Sequence, residues 1–398
     1  MLNVFYLYGG MWLIILLLYS FGWSDLCIPL SEGTIFFVLF MAVFSILCGY
    51  GLRKCFKFRK LSSNPHKKST ITLLLVIFYI IDIAYERNIP LFKVLSGQSM
   101  YEKNFHGIPI LHFFVSGFIF IYCFYLAYLF VCFRKKSLVV EYFASLSLFI
   151  LLFQRQNIMI VLLGTLWIVI AGLEFKKLSS LKKLLCIVLT IAIILVGLYI
   201  FGIMGNARYG LWDSNDASMI MAVGKINDSF PDFIPKSYAW AYIYAISPLS
   251  NLQYNISLGV NSNVTFIDII WHYLPNFVSK NLSVKSIIVS DLLEPSLTVC
   301  TAFSDVFKTS GYLGMYIFYL VETAVVIFII LLFNKIIQYR VCAYVSVAYF
   351  YLLSFFSNPV IYDITALILI FLIIFRALLN FKNFKQVRCL GVKKIFKE

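Results

Sequence analysis

Long runs of apolar residues recur along the whole chain, and they constrain its fold more than any other feature. Each run has about 17–25 residues, the length of helix that crosses the hydrocarbon core of a bilayer. The chain is 62% hydrophobic over 398 residues, so no soluble domain could cover this apolar surface with polar groups. The sequence therefore predicts an all-α polytopic membrane protein in which residues 1–398 form a single integral membrane domain.

About ten membrane spans are predicted from these runs. They lie at about residues 4–23, 34–52, 69–85, 110–133, 138–153, 158–173, 184–204, 312–333, 341–356 and 360–380. The first run continues through Trp23 without a small-residue cleavage site, so we interpret it as a retained span.

The basic residues predict which side each connection faces. Five segments hold 23 of the 33 Lys and Arg residues, namely 53–68, 134–136, 174–183, 334–340 and the tail from Arg376. All five lie on one side of the membrane if both termini are cytoplasmic, as the positive-inside rule requires. The net charge of +15 therefore reflects topology and attraction to anionic headgroups, and it does not indicate a nucleic-acid partner.

Two connections on the predicted outer side are too long to be simple turns. They are residues 85–109 and the larger loop 205–311. In the larger loop, residues 237–252 contain aromatic side chains typical of interfacial anchors, and residues 266–277 have the apolar spacing of a short amphipathic helix. We expect helical pieces that lie on the outer leaflet and cap the bundle. The alternative is that they only seal the bundle against lipid.

Motifs for metals and nucleotides are missing from the sequence. The nine cysteines form no CxxC or CxxH pair, the four histidines are far apart, and there is no Gly-rich phosphate loop. We therefore expect no metal site and no cofactor.

Several ordered segments resemble those of a known family. The stretch YERNIPLFKVLSGQSMYEKNFHGIPILH (85–112) carries Glu86, an Ile-Pro-Leu, Tyr101, a Gly-Ile-Pro and His112. It is followed by FQRQNIMIVLL, GNARYG (205–210), WAYIYAISPLSNL and TAFSDVFKTSGYLGMYIF (301–318). Together they resemble the bacterial O-antigen polymerases, the Wzy oligosaccharide repeat unit polymerases. In the last segment the usual acid of the family falls on Thr309, and the nearest acid is Asp305.

The resemblance implies a metal-independent glycosyltransferase with a GT-C-like fold in the bacterial inner membrane, with its active site facing the periplasm. Such an enzyme moves a growing glycan from undecaprenyl pyrophosphate to the non-reducing end of an incoming lipid-linked repeat unit. Expected partners are these lipid-linked oligosaccharides, membrane lipids and a chain-length regulator protein.

Three arginines are the only ones on the predicted outer side, and each lies at the mouth of a span. They are Arg87, Arg155 and Arg208. The planar guanidinium group binds phosphate through two parallel hydrogen bonds, so we expect the three to bind the pyrophosphate. The alternative is that each is an interfacial cation whose side chain reaches the headgroups.

An acceptor hydroxyl benefits from a general base, and a glycan from aromatic faces and amides. Candidates for the catalytic acid–base groups are Asp305, Glu102 and His112. Candidates for glycan binding are Tyr101, Tyr209, Trp240, Tyr242 and Asn251. Each of these carboxylates could instead be a solvated loop residue, and His112 could be structural. Glu322 falls midway along a span, which makes it a further functional candidate.

Two alternative functions remain open. A lipid-linked oligosaccharide flippase or another transporter would carry polar residues through its spans, often within an internal repeat. An O-antigen ligase would share the donor chemistry.

Overall fold

The computed structural model of the chain describes residues 3–65, 70–96, 105, 107–108, 111–173, 178–207, 217–282, 289–361 and 364–377. In these ranges the regular elements are helices, and one isolated β-bridge joins Ser24 to Ile226. The helices are α1 Val4–Ser20, α2 Glu32–Gly51, α3 Thr70–Glu86, α4 Pro90–Leu95, α5 Leu111–Phe133, α6 Lys136–Leu151, α7 Arg155–Gly172, α8 Ser180–Ala207, α9 Ser218–Val223, α10 Ala239–Leu258, α11 Phe266–Trp271, α12 Asn276–Asn281, α13 Ala302–Phe333, α14 Ile337–Leu353 and α15 Ile364–Ala377.

The helical class predicted from the sequence is confirmed. Four of the described helices, α2, α5, α8 and α13, are long and apolar enough to cross a membrane. The chain therefore has the character of a helical membrane protein. A helix also overlaps each of the ten apolar runs predicted as spans.

Helix α10 lies across one end of the bundle. Near its start, the Trp240 indole donates to the Asn206 side chain at the end of α8 (2.6 Å), and the Trp23 amide beyond α1 donates to the Tyr242 hydroxyl (3.0 Å). Near its other end, the Gln253 side chain accepts from Thr34 in the first turn of α2 (2.6 Å). Because α10 touches the ends of three helices, we call this end of the molecule the capped end.

The opposite end holds the first basic segment of the chain. Arg340, at the start of α14, is only 1% exposed and donates to the Lys57 carbonyl (2.5 Å). Tyr128, near the end of α5, donates to the Arg59 carbonyl (2.7 Å). These two bonds hold residues 57–59 against the bundle, about one helix length from the capped end.

Helix α13 is two helices that fold back on each other. The rings of Phe303 and Phe318 lie 6.0 Å apart, whereas a straight helix would separate residues this far apart in sequence by roughly 22 Å. The reversal occurs at Gly311, with φ 61° and ψ −160°, a conformation that is essentially restricted to glycine. We call residues 302–310 the short arm and residues 312–333 the long arm.

The short arm begins inside the bundle. The Ala302 amide donates to the Ser354 carbonyl at the end of α14 (2.8 Å), whereas Tyr312, just past the turn, meets Ser31 at the capped end (3.0 Å). Nine helical residues rise by roughly 13 Å, so the start of the short arm lies about that far below the turn at Gly311. The chain that leads down to this start is held by Asn251 of α10, whose side chain donates to the carbonyls of Leu297 (3.3 Å) and Val299 (2.9 Å).

Candidate functional site

A buried histidine and the short arm form the most chemically capable cluster at the capped end. His272 follows α11 and is 1% exposed. Its Nε2 atom lies 3.1 Å from the Thr309 hydroxyl, and its Nδ1 atom is buried with no hydrogen-bond partner. Asn358 holds the backbone in place by donating to the His272 carbonyl (2.9 Å).

The hydrogen bonds of Thr309 fix the tautomer of this histidine. The single hydroxyl hydrogen of Thr309 points back to helix carbonyls, with Val306 O at 3.0 Å and Asp305 O at 3.3 Å. With that hydrogen on the helix carbonyls, Nε2 of His272 is the donor to Thr309, because a hydroxyl has only one hydrogen. It follows that Nδ1 carries the lone pair and is free to accept a proton.

Two carboxylates act on the imidazole. Burial lowers the pKa of His272 below its ordinary value, while Asp305 and Asp268 oppose that shift. The ring is therefore neutral near pH 7, and nearby negative charge would stabilise it once it has taken up a proton. A neutral histidine flanked by acids has the properties of a general base.

Asp305 is held in place by Ser290. One carboxylate oxygen accepts from the Ser290 amide (2.7 Å) and from the Ser290 hydroxyl. Asp305 is half-buried and lies one helical turn before Thr309 on the short arm. The acid predicted from the sequence and the residue that occupies the usual acid position are thus both in the cluster.

The local sequence explains why His272 faces inward. Thr265 and Asp268 form a capping box at the start of α11, which leaves Asp268 5% exposed and turned toward the protein. Phe266 (74% exposed) and Ile267 (52%) lie on the outer surface. The helix predicted for residues 266–277 is shorter than expected, and Ile270 and Trp271 on its predicted apolar face are half-buried.

His112 belongs to a second cluster, where α3 and α5 meet. Its Nδ1 atom lies 2.5 Å from Asp82, and the other carboxylate oxygen of Asp82 accepts from the Ile108 amide (2.6 Å). Gly107 has φ +64°, and a Cβ atom there would collide with Asp82. The carboxylate therefore ties the end of the 85–109 loop to both helices.

The predicted pyrophosphate ligands are only partly visible. Arg155 is the first residue of α7, directly after the three-residue turn that follows α6. Arg87 is exposed, ends α3 with φ 51°, and precedes α4, which packs against α6. The side chain of Arg155 and the whole of Arg208 are outside the described part of the chain.

The predicted glycan ligands lie mostly inside the protein. Trp240, Tyr242 and Asn251 are each 2–5% exposed, and their polar atoms bind the internal groups named above. A sugar could reach them only if those bonds broke, and the two aromatic rings are not interfacial anchors. Tyr101, Glu102 and Tyr209 lie outside the described residues.

Sequence reasoning missed His272, although a signal existed. Asp268 and His272 are four residues apart and share the polar face of the predicted amphipathic helix. The spacing of the apolar residues predicts the helix but carries no information about its polar face. In the described part of the chain, no three His, Cys, Asp or Glu side chains are close enough to hold a metal ion.

Comparisons with known proteins add no assignment. No protein-family model, no curated protein and no solved structure matches this chain.

Proposed function

We propose that the protein is a GT-C-like membrane glycosyltransferase that polymerises lipid-linked oligosaccharide repeat units, as the resemblance to O-antigen polymerases implies. In this proposal all ten helical runs cross the bacterial inner membrane, both termini are cytoplasmic and the capped end faces the periplasm. The donor and the acceptor are both linked to undecaprenyl pyrophosphate.

The observation that carries the proposal is the unpartnered Nδ1 atom of His272 beside Asp305. The acceptor hydroxyl attacks the anomeric carbon of the donor glycan, a new C–O bond forms, and the bond from that carbon to pyrophosphate breaks. The hydroxyl proton passes to Nδ1, so the acceptor must displace the side chains that leave His272 only 1% exposed. The Asp305 and Asp268 carboxylates stabilise the imidazolium cation that results.

The leaving pyrophosphate needs cations near the membrane surface. Arg155 lies at the start of α7, where free backbone amides add to its positive charge. Arg87 and Arg208 are further candidates from the sequence. The bond that breaks leaves its electron pair on the pyrophosphate, so undecaprenyl pyrophosphate departs with one more negative charge than it carried in the donor. Because this lipid pyrophosphate is itself the leaving group, the reaction needs no nucleotide.

A second candidate function, transport of lipid-linked oligosaccharide, is favoured by one observation. The short arm re-enters the bundle and begins near the buried polar groups around Ser354. Interrupted helices at mid-depth are typical of secondary transporters. We prefer polymerisation because the base-competent cluster lies at the capped end and not at mid-depth.

The test is the surface polysaccharide of a deletion strain, resolved on a gel. Loss of the polymer ladder with one repeat unit left on the lipid core identifies a polymerase. Complete loss of repeat units identifies a flippase or a ligase and contradicts the proposal. The wild-type gene and a Ser262→Ala variant, altered at an exposed loop position, must both restore the ladder.

A further inference from the structure

Glu322 is an acid buried in the middle of the long arm. It is 2% exposed, and both of its carboxyl oxygens are buried with no hydrogen-bond partner. An ionised carboxylate in such surroundings loses its hydration without compensation, which is among the largest penalties in protein energetics. The protonation state of the Glu322 carboxyl group therefore needs a physical explanation.

The surroundings contain hydroxyl groups from four helices. Tyr8 of α1 meets Ser354 (3.2 Å), Ser45 of α2 meets Tyr319 (2.7 Å), and Thr323 meets Tyr351 of α14 (2.8 Å). Tyr8 and Ser354 are the members of this set that are near enough to interact electrostatically with the Glu322 carboxyl group.

The other titratable groups of this cluster are neutral ones. They are Tyr8 of α1, Cys48 of α2, Tyr319 of α13 and Tyr351 of α14. None of the ion pairs within the described residues includes Glu322. Among the described residues, a negative charge here would therefore have no cation beside it.

The hydroxyl hydrogens are also directed elsewhere. Ser354 donates to the Tyr351 carbonyl (2.8 Å), and Tyr319 donates to the Met41 carbonyl (3.0 Å). A carboxylate attracts nearby donors more strongly than a neutral carbonyl does. The cluster is thus arranged around an uncharged Glu322.

We propose that Glu322 is a proton-binding site at mid-depth of the bundle and that it holds its proton at neutral pH. The proton comes from water, and one O–H bond forms on the carboxylate with no other reactant. This inference does not depend on the proposed function.

The site has a structural link to the candidate catalytic cluster. The Ser354 hydroxyl interacts with the Glu322 carboxyl group, and the Ser354 backbone carbonyl accepts a hydrogen bond from the Ala302 amide at the base of the short arm (2.8 Å). The short arm carries Asp305 and Thr309. Release of the proton would draw the Tyr8 and Ser354 hydroxyls to the new charge and disturb the point where the short arm is anchored.

Infrared difference spectroscopy of the full-length protein in lipid nanodiscs tests the proposal. The wild-type spectrum minus that of Glu322→Gln at pH 7 should contain the carbonyl band of a protonated carboxyl group, shifted downward in D₂O. The matched control is Asp232→Asn, which removes an exposed acid and should produce a carboxylate difference instead. If Glu322→Gln does not fold, Glu322→Leu supplies the same subtraction. A carboxylate band and no protonated band in the Glu322 difference spectrum overturns the proposal.

Discussion

At the residue scale, the chemistry of His272 depends on which of its nitrogens carries the proton. Thr309 fixes that choice because its own hydrogen is used within the short arm. The burial that hides the ring also keeps it neutral, and the two acids beside it oppose this shift. A histidine in solution at pH 7 would be mostly neutral too, but its two tautomers would interchange.

We expect His272→Asn to reduce polymerisation by about 10²–10⁴-fold, since a positioned general base contributes on that order. Membrane abundance should be unchanged, because the Asn amide can still donate to Thr309. The measurement is the polysaccharide ladder together with the turnover of a synthetic lipid-linked repeat unit. Full activity in this variant would remove His272 from the mechanism.

The pH profile should report the same group. Burial lowers the pKa of His272 below the ordinary histidine pKa of about 6.5. The base therefore stays unprotonated, and the rate stays level, as the pH falls from 7 to that value. Asp305 raises that pKa, so Asp305→Asn should move the acid limb to lower pH. A limb that moves to higher pH, or does not move, contradicts the proximity of this charge.

Arg155 should matter through its geometry as well as its charge. Arg155→Ala should abolish the ladder, with a loss of about 10²–10³ in rate if a bond to developing phosphate charge is removed. Arg155→Lys should rescue poorly, because an ammonium group cannot form the paired hydrogen bonds of a guanidinium. The neighbouring exposed Gln156→Ala is the control. A full ladder from Arg155→Lys would show that any long cation is sufficient.

At the element scale, the fold-back of α13 depends on one residue. Gly311 adopts φ 61° and ψ −160°, and an added Cβ would meet only Val260 at 3.5 Å. The steric space is therefore adequate, and the obstacle to substitution is the backbone conformation. This reversal brings the short arm, with Asp305 and Thr309, beside His272.

Gly311→Ala should destabilise the fold by about 1–3 kcal/mol, the usual cost of forcing a side chain into this conformation. The midpoint of thermal unfolding in detergent should fall, and activity should fall with it. Gly10→Ala, at a helical glycine with open space around it, should leave the midpoint unchanged or raise it slightly. Equal midpoints for both variants would show that the reversal does not need glycine.

The elements that the sequence predicted well are those defined by hydrophobic length alone. The runs at 158–173 and 184–204 correspond to α7 and α8. None of the 18-residue span window of α8 is buried within the protein, so its length and apolar composition alone identify it. The short arm was not predicted, because hydropathy carries no information about the backbone angles of Gly311. The burial of α10 was missed for a related reason: Trp240 and Tyr242 have the same composition at a lipid interface and in a protein interior.

At the scale of the whole molecule, the charge distribution and the structure describe two different ends. Arg340 and the 57–59 backbone mark one end, and α10 marks the other. His112 lies 16 residues along α5 from Tyr128, or roughly 24 Å toward the capped end. The two clusters and the start of α7 therefore lie away from the basic end. The reaction proposed here would take place on their side of the molecule, at the capped end.

Polymerisation should need no divalent ion, because arginines would neutralise the leaving pyrophosphate. Purified enzyme with a synthetic lipid-linked repeat unit should keep its full rate in EDTA. Chelator-treated enzyme without added metal and enzyme with added magnesium form the matched pair. Activity that disappears with EDTA and returns with magnesium would contradict the arginine-based mechanism.

The two ends should face opposite sides of the membrane. Lys60 directly follows the residues bound by Arg340 and Tyr128, while Ser262 adjoins Asn261, whose amide donates to the Lys308 carbonyl of the short arm (2.9 Å). The basic residues around Lys60 should be retained in the cytoplasm. Reporter fusions at Lys60 should therefore be active only as a cytoplasmic reporter, and fusions at Ser262 only as a periplasmic one. A third fusion at Ser229, whose hydroxyl donates to the Gly22 carbonyl beyond α1 (3.3 Å), should behave like the one at Ser262. If Lys60 and Ser262 report the same side, an odd number of the predicted crossings between them is wrong, and the placement of the candidate base at the periplasmic face is wrong with it.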